Sequence, residues 1–77
     1  MSYQMPVSVS PENWLRQMFS SRIAVEGGVF RRKVRDVERL LGRERFLAEI
    51  DRRGFHLIEN AGNFIVICNQ DPVLVLR

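Results

Sequence analysis

The side chains best suited to nucleophilic chemistry in this chain of 77 residues are its one cysteine, Cys68, and its one histidine, His56. A cysteine becomes a catalytic nucleophile when a histidine base contacts it. The predicted strands place both residues on one sheet face, but not opposite each other. A buried, inert Cys68 and a packed His56 fit this pattern better. A small enzyme that uses either residue is therefore the weakest of three functional hypotheses.

Metal chemistry and acid–base chemistry lack a matching set of residues. A structural zinc site usually takes four cysteine or histidine ligands, and the chain has one of each. The carboxylates of the middle segment alternate with arginines, as in exposed ion pairs, which contribute ~0–1 kcal/mol each. These carboxylates are Asp36, Glu38, Glu44, Glu49, Asp51 and Glu59. We predict no catalytic residue, no metal and no cofactor, and therefore a protein that is not an enzyme.

The basic residues point more directly to a ligand. Ten of the twelve lie between residues 22 and 53, together with six acidic residues, and the net charge of the chain is +3. Five candidate contacts for nucleic acid or another anion lie close together in the sequence: Arg31, Arg32, Lys33, Arg35 and Arg39. Such a cluster can attract phosphate groups, which is the second functional hypothesis. It can equally be an ordinary solvated surface.

The elements that position these residues begin after a polar stretch. Residues 1–9 are predicted to be disordered or loosely packed, and residues 10–77 to form a single domain. Ser10, Pro11 and Glu12 suit a helix N-cap, a first helical position and a first helical turn. Apolar side chains follow at helical spacing, which predicts an amphipathic helix with one face on the core.

The middle of the chain is ambiguous in two places. Residues 29–35 fit either a strand or a helix, and we favour a strand because Asp36 suits the N-cap of a following helix. The main helix is predicted from Val37 to Arg53, with Gly54 as its C-terminal stop. Gly42 either lies on the polar side of one long helix or breaks it into two short helices.

The C-terminal third predicts a β-hairpin. Strands at 55–59 and 63–69 are joined around residues 60–62, a three-residue loop with glycine last, which fits a type I turn with a bulge. That register pairs Leu57 with Ile65.

Both faces of this hairpin are apolar. One face carries Phe55, Leu57, Ile65 and Ile67. The other carries His56, Ile58, Phe64, Val66 and Cys68. One face must therefore pack on the main helix, and the other needs cover from the first helix or from a second subunit. A further strand is predicted at Val73–Leu76, after the turn at residues 70–72.

Together these elements predict a small α+β fold. An antiparallel-rich sheet with a C-terminal β-meander packs on one long helix, with an amphipathic helix at the N-terminal end. The alternative is a winged helix, in which Gly42 separates two helices and Arg43–Arg53 is the recognition helix. The two apolar sheet faces give the first functional hypothesis, a binding or regulatory module that acts through protein contacts or self-association.

The segment from Phe46 to Phe55, FLAEIDRRGF, is similar to the helix–Gly-Phe–strand opening of HicA-type mRNA-interferase toxins. Those are small domains of the double-stranded-RNA-binding type, and the resemblance covers under half of this chain. It implies an RNA-facing surface. The functional histidine of that family begins its second strand, where this chain has Asn63 or Phe64, so the nuclease activity is not carried over.

A longer stretch resembles a group of short bacterial proteins that carry the label phosphoribosylanthranilate isomerase. The resemblance runs from Gly27-Gly28-Val29 through Arg53-Gly54-Phe55 to Ile67-Cys68-Asn69. The label implies a (β/α)₈ barrel, which needs about 200 residues or more. A chain of 77 residues cannot form such a barrel, and no catalytic role is assigned to Cys68.

The cysteine count and hydropathy also bear on the compartment. A secreted domain of this size would usually carry an even set of cysteines. The N-terminal residues lack the apolar run of a signal peptide, and no stretch approaches the ~18 apolar residues of a membrane span. We therefore predict a cytoplasmic protein with no membrane partner.

Overall fold

The computed structural model describes residues 10–77, so the prediction for residues 1–9 lies outside the described part of the chain. The elements are α1 (Pro11–Phe19), α2 (Arg22–Val25), β1 (Val29–Lys33), α3 (Val34–Leu40), α4 (Arg43–Arg53), β2 (His56–Asn60) and β3 (Asn63–Ile67). The three strands form one antiparallel sheet in the order β1-β3-β2. The predicted α+β class is confirmed.

Helix α1 forms where its capping residues predict it. The hydroxyl oxygen of Ser10 accepts a hydrogen bond from the backbone N–H of Asn13 at 3.1 Å, which satisfies one of the free donors of the first turn. Leu15, Met18 and Phe19 are buried, so one face of the helix packs on the core as predicted.

The prediction of one long helix from Val37 to Arg53 is wrong, because Gly42 breaks it. Gly42 adopts φ 93° and ψ 142°, a conformation that only glycine reaches without strain. The backbone N–H groups of Leu41 and Gly42 both donate to the carbonyl of Val37, which closes α3 before α4 begins. The alternative of two short helices is therefore the observed one.

Residues 29–33 form a strand, as we favoured, but the helix cap predicted after it is wrong. The N-cap of α3 is Lys33, and Asp36 lies in the first turn of the helix. A carboxylate in the first turn still complements the positive end of the helix dipole. The sequence pattern therefore placed the start of the helix three residues too late, at Val37 instead of Val34.

The predicted hairpin register is wrong by one residue. Ile58, not Leu57, pairs with Ile65, and Asn60 pairs with Asn63. The turn consists of Ala61 and Gly62 alone, with φ of 51° and 76°. Positive φ at both central residues is typical of a type I′ turn, whose twist matches that of the flanking strands.

The register shift changes which side chains share a sheet face. Leu57 pairs with Val66, so Leu57 lies with Phe64 and Val66 on the side that the helices cover. Ile58 lies on the opposite side with Ile65. A slip of one residue moves every side chain of a strand to the other face, which explains both errors in the predicted faces.

The predicted strand at Val73–Leu76 does not form, because the position it would take beside β3 is occupied by β1. Phe30 of β1 pairs with Val66 of β3, and the pairing extends over all five residues of β1. The sheet is therefore not a C-terminal meander, since one edge strand comes from the first half of the chain.

The core joins the inner face of the sheet to all four helices. Its four least exposed large side chains are Phe46 of α4, Val37 of α3, and Phe64 and Val66 of β3. The rings of Phe46 and Phe64 lie 5.1 Å apart between centroids. Full burial of such a side chain stabilises the fold by about 1.5–3 kcal/mol, so these contacts hold α3 and α4 on the sheet.

The order of the elements, apart from the short helix α2, agrees with the winged-helix alternative. Two helices and a strand precede two helices joined by a tight turn at Leu41-Gly42, and a two-stranded hairpin follows. The first strand pairs with the last one. In the winged-helix alternative, helix α4 would be the recognition helix and the β2–β3 hairpin would be the wing.

Candidate interaction surfaces

One side of the sheet carries aliphatic side chains without a covering helix in residues 10–77. We call this side the outer face; one end of it carries Val29, Ile58, Ile65 and Ile67 together with His56. Arg31 and Lys33 of β1 lie on the same side of the sheet, toward the hairpin turn. The helices contribute their buried side chains to the other side, where Phe30, Phe64 and Val66 complete the core. On the outer face, Val29 is 52% exposed and Ile58 is 43% exposed. Ile65 and Ile67 are half-buried by their neighbours.

A second apolar surface follows the sheet in sequence. Residues Val73–Leu76, here named the apolar segment, belong to no helix or strand. Leu74, Val75 and Leu76 are 79%, 84% and 86% exposed. Four consecutive exposed aliphatic residues are unusual, because each exposed side chain forgoes the favourable free energy of transfer out of water.

The chain just before the apolar segment is held firmly to the domain. The side-chain amide of Asn69 donates to the carbonyl of Gly27 at 3.0 Å, and that of Gln70 donates to the carbonyl of Arg53 at 3.1 Å. The ring Nε2–H of His56 donates to the carbonyl of Asp71 at 2.7 Å. We call residues 69–71 the stem. Because His56 belongs to the outer face, the apolar segment starts at the edge of that face.

The five basic residues singled out from the sequence, which we call the basic corner, lie on β1 (Arg31, Arg32 and Lys33) and on α3 (Arg35 and Arg39). The structure does not bring all five to one surface, because Arg32 pairs with Phe64 on the helix side of the sheet and Arg31 and Lys33 lie on the outer side. All except Arg32 are exposed. The guanidinium of Arg32 lies 4.7 Å from the ring centroid of Phe30. Asp36 lies within 3.6 Å of Arg35 and within 3.5 Å of Arg39.

The other three cations of the basic corner have no carboxylate partner. Within residues 10–77, Arg31, Arg32 and Lys33 form no salt bridge, and the guanidinium of Arg32 donates to the backbone carbonyl of Arg31 at 2.7 Å. Lys33 pairs with Asn63 next to the hairpin turn, so the corner lies beside the uncharged tip of the hairpin. A role for these residues in anion contact stays a prediction.

Helix α4 differs from the basic corner, because every arginine on it is paired. Arg43 contacts Glu59 at 2.6 Å and Glu38 at 3.1 Å, and these carboxylates raise the pKa of its guanidinium above the ordinary value. Arg45 contacts Glu12 of α1 at 3.0 Å. As a result, the helix in the recognition position presents little free positive charge.

The last turn of α4 is paired in the same way. Glu49 binds both Arg52 and Arg53, and its side chain is only 14% exposed. The hydrogen bond from Arg52, followed by the contact with Arg53, holds the pKa of the Glu49 carboxyl below its usual range. The guanidinium of Arg53 also lies 4.4 Å from the ring centroid of Phe19. These two arginines therefore stabilise the fold, and their charges are already paired within the chain.

The two candidate catalytic side chains lie on opposite sides of the sheet, contrary to the prediction that they share a face. His56 pairs with Ile67 on the outer face, whereas Cys68 is buried in the core. Burial raises the pKa of the Cys68 thiol, which disfavours the nucleophilic thiolate. The structure therefore does not assemble a Cys–His pair.

An open groove of about 390 Å³ lies between α4 and β2. Its lining mixes apolar side chains such as Leu47 and Phe55 with Asp51 and the paired Arg43 and Glu59. In the described part of the chain, no group of three histidine, cysteine or acidic residues is placed to hold a metal ion. No helix there is long and apolar enough to cross a membrane.

Sequence reasoning missed the composition of the outer face. The error in register placed Ile58 with Phe64, whereas the structure places it with Ile65. The signal that could have located the face is the pair of residues Ala61-Gly62, because two-residue hairpin turns favour glycine at the second position.

Comparison of the chain with protein-family models, with curated proteins and with solved structures finds no match.

Proposed function

We propose that this protein is a non-enzymatic interaction module that binds another protein chain through its outer face and its apolar segment. The observation that carries the proposal is the exposure of aliphatic side chains at both places, which meet at His56. Contiguous exposed aliphatic surface is disfavoured in a monomer and is typical of protein–protein contact sites.

The arrangement of charge supports a protein partner over a nucleic-acid partner at α4. A recognition helix in the major groove uses free side chains near its N-terminal end to reach base edges and phosphates. Here Arg43 and Arg45, at that end, are both bound to carboxylates. Glu44 is exposed beside them and would repel phosphate.

The proposal is tested by capturing partners with the tagged protein from a native lysate, with and without nuclease. We expect capture of the partner to persist after nuclease treatment and to be lost with the variant Ile58→Asp. Val25→Asp is the matched control, because Val25 is a 72% exposed aliphatic residue of α2 and belongs to neither the sheet nor the apolar segment. Loss of capture after nuclease, or equal capture by both variants, would contradict the proposal.

Nucleic-acid binding is a second candidate, and the basic corner is the specific observation that favours it. If Arg31, Lys33 and Arg35 each neutralise a phosphate, changing all three to Gln should reduce the slope of log K against log salt concentration by roughly 3. Fluorescence anisotropy with mixed-sequence duplex DNA and RNA measures this slope. A wild-type affinity that does not respond to salt would reject the candidate.

A further inference from the structure

We infer that the cleft between α1 and β1 is a binding site for single-stranded nucleic acid, where one base stacks on Trp14 and a neighbouring phosphate pairs with Arg32. The cleft is lined by Trp14, Gln17 and Met18 of α1 and by Arg32 of β1. The inference rests on the second candidate function, nucleic-acid binding, and it names the site and the form of the nucleic acid. It is independent of protein contact at the outer face.

Arg32 lacks the counterion that completes a similar arginine elsewhere in the fold. Arg32 and Arg53 are the two half-buried arginines of residues 10–77. The guanidinium of Arg53 lies 4.4 Å from the ring centroid of Phe19 and is bound by Glu49. That of Arg32 lies 4.7 Å from the ring centroid of Phe30, and no carboxylate of the described chain pairs with it. A half-buried charge without a counterion is costly, so Arg32 is suited to an anionic group of another molecule.

The guanidinium of Arg32 is already held in place for such a group. One of its N–H groups donates to the backbone carbonyl of Arg31 at 2.7 Å, and the ring of Phe30 lies beside it. A guanidinium carries its N–H donors in a rigid planar arrangement, and a parallel pair of them matches the oxygens of a phosphate. Because the group is preorganised, less conformational entropy is lost when a phosphate binds.

The α1 side of the cleft suits a planar group. Trp14 packs against the core and is half-buried, so part of this residue stays accessible at the cleft. The exposed side-chain amide of Gln17 can donate to and accept from the edge of a base. Bases stacked on an aromatic ring, with arginine nearby, are typical of single-stranded nucleic-acid sites. A carboxylate of an acidic protein would satisfy Arg32 but would not use the ring of Trp14.

The size of the cleft favours a single strand over a free nucleotide or a duplex. Its volume is about 150 Å³, which is below the about 300–1,000 Å³ of pockets that enclose a whole small molecule. It can therefore take one flat group while the rest of the ligand remains outside. In a duplex both faces of a base are stacked on its neighbours, whereas the bases of a single strand can be splayed out onto aromatic side chains.

Strand β1 gives the rest of the nucleic-acid chain a path. It lies at one edge of the sheet, so its cations alternate around that edge. Arg32 lies on the helix side, and Arg31 and Lys33 lie on the outer side. None of the three has a carboxylate partner in residues 10–77. A phosphate backbone that follows β1 therefore meets a run of positive charge.

The fluorescence of Trp14 tests the inference, because Trp14 is the one tryptophan of the chain. We titrate the full chain with oligothymidylate and oligouridylate of about ten nucleotides, a length within the usual site sizes of single-strand-binding folds. Both should quench the tryptophan fluorescence in a saturable way, since base stacking tolerates different bases. Poly-glutamate at the same charge concentration and ionic strength should not quench it.

Variants at two adjacent arginines make the result specific. Arg32→Gln should raise the Kd of labelled oligothymidylate, measured by fluorescence anisotropy, by about tenfold and should reduce the quenching at saturation. Arg31→Gln removes the same charge from the outer side and should leave the quenching at saturation unchanged. Trp14→Leu should also raise the Kd by about tenfold, because stacking is lost. Circular dichroism verifies that each variant folds, and Arg32→Gln decides the result if Trp14→Leu does not.

The inference and the candidate function on which it rests fail separately. Salt-dependent binding of single strands without a change in Trp14 fluorescence, or full quenching in Arg32→Gln, overturns the cleft as the site and leaves nucleic-acid binding intact. Binding to duplexes alone has the same meaning. Equal quenching by poly-glutamate assigns the cleft to carboxylates of an acidic protein and overturns the inference. Failure to bind single strands and duplexes overturns both.

Discussion

Helix α4 and the basic corner are both rich in arginine, but they differ in what surrounds each guanidinium. All four arginines of α4 are bound by carboxylates from α1, α3, α4 or β2. The basic corner has five cations and one nearby carboxylate, Asp36. A count of basic residues therefore does not locate a positive surface. The positions of the acidic residues in the fold do locate it. They leave unpaired positive charge at the basic corner and pair the positive charge of α4 with carboxylates.

The largest effect is expected at the glycine that sets the position of α4. Gly42→Ala should lower the free energy of unfolding by about 1–3 kcal/mol, because its φ of 93° is strained for any residue with a Cβ. The cause is conformational, since a Cβ at this position would meet nothing within 4 Å. Urea denaturation measures the change.

The hairpin turn provides the control for this substitution. A Cβ at Gly62 would also meet nothing within 4 Å, but the φ of 76° at Gly62 lies nearer the left-handed region that alanine tolerates. Gly62→Ala should therefore lower the free energy of unfolding by less than Gly42→Ala does. Equal stability of Gly42→Ala and the wild type would mean that the break between α3 and α4 does not depend on glycine.

The next largest effect is expected when the carboxylate that pairs with arginines in α4 is removed, compared with the carboxylate at the basic corner. Glu49→Gln should destabilise the fold by about 1–2 kcal/mol, because it removes the charged partner of Arg52 and Arg53 from a largely buried position. Asp36→Asn, the matching change at the basic corner, should cost under about 0.5 kcal/mol, since Asp36 contacts two exposed arginines. The thermal unfolding of both variants gives the comparison. If Asp36→Asn were the more harmful change, the assignment of structural pairs to α4 would be wrong.

Lowering the pH should weaken the ion pairs of α4, because their carboxylates become protonated while the arginines stay charged. The pKa values of Glu12 and Glu49 are lowered in the folded chain, by the helix N-terminal backbone and Arg45 for Glu12 and by Arg52 for Glu49. The unfolded state then binds more protons, so this contribution to stability is present above the ordinary carboxyl pKa and is lost as pH falls through the folded values. The melting temperature of the wild type should fall steeply below about pH 4.5, and that of Glu49→Gln less steeply. Parallel curves would contradict the pairing of Glu49.

The smallest effect on stability is expected at the basic corner. Changing Arg31, Lys33 and Arg35 to Gln together should alter the free energy of unfolding by less than about 0.5 kcal/mol, because these exposed side chains contribute little to packing. Urea denaturation measures it, with the Glu49→Gln variant as reference. A loss as large as that of Glu49→Gln would show that the corner is part of the fold and not a free surface.

Local capping signals and apolar periodicity predicted the α+β class, α1 with its Ser10 cap, the β1 strand and the hairpin. They did not decide the role of Gly42, since the same glycine fits the polar side of a long helix or a break. They also missed the pairing of β1 with β3, because a contact between distant parts of the chain leaves no local pattern. The one-residue error at the hairpin turn shows the same limit, since it reversed the faces of Leu57 and Ile58.

The contrast between pairs that stabilise the fold and surfaces that remain free leads to one claim, that protein contact occurs at the outer face and the apolar segment and not at α4. Amide hydrogen exchange of the full chain, compared in the absence and presence of the protein captured from the lysate, tests this claim directly. We predict that exchange slows on complex formation in His56–Asn60 and Val73–Leu76 and stays unchanged in α3 and α4. Slowing confined to α3 and α4, with the amides of Val73–Leu76 exchanging as freely as in the isolated chain, would contradict it.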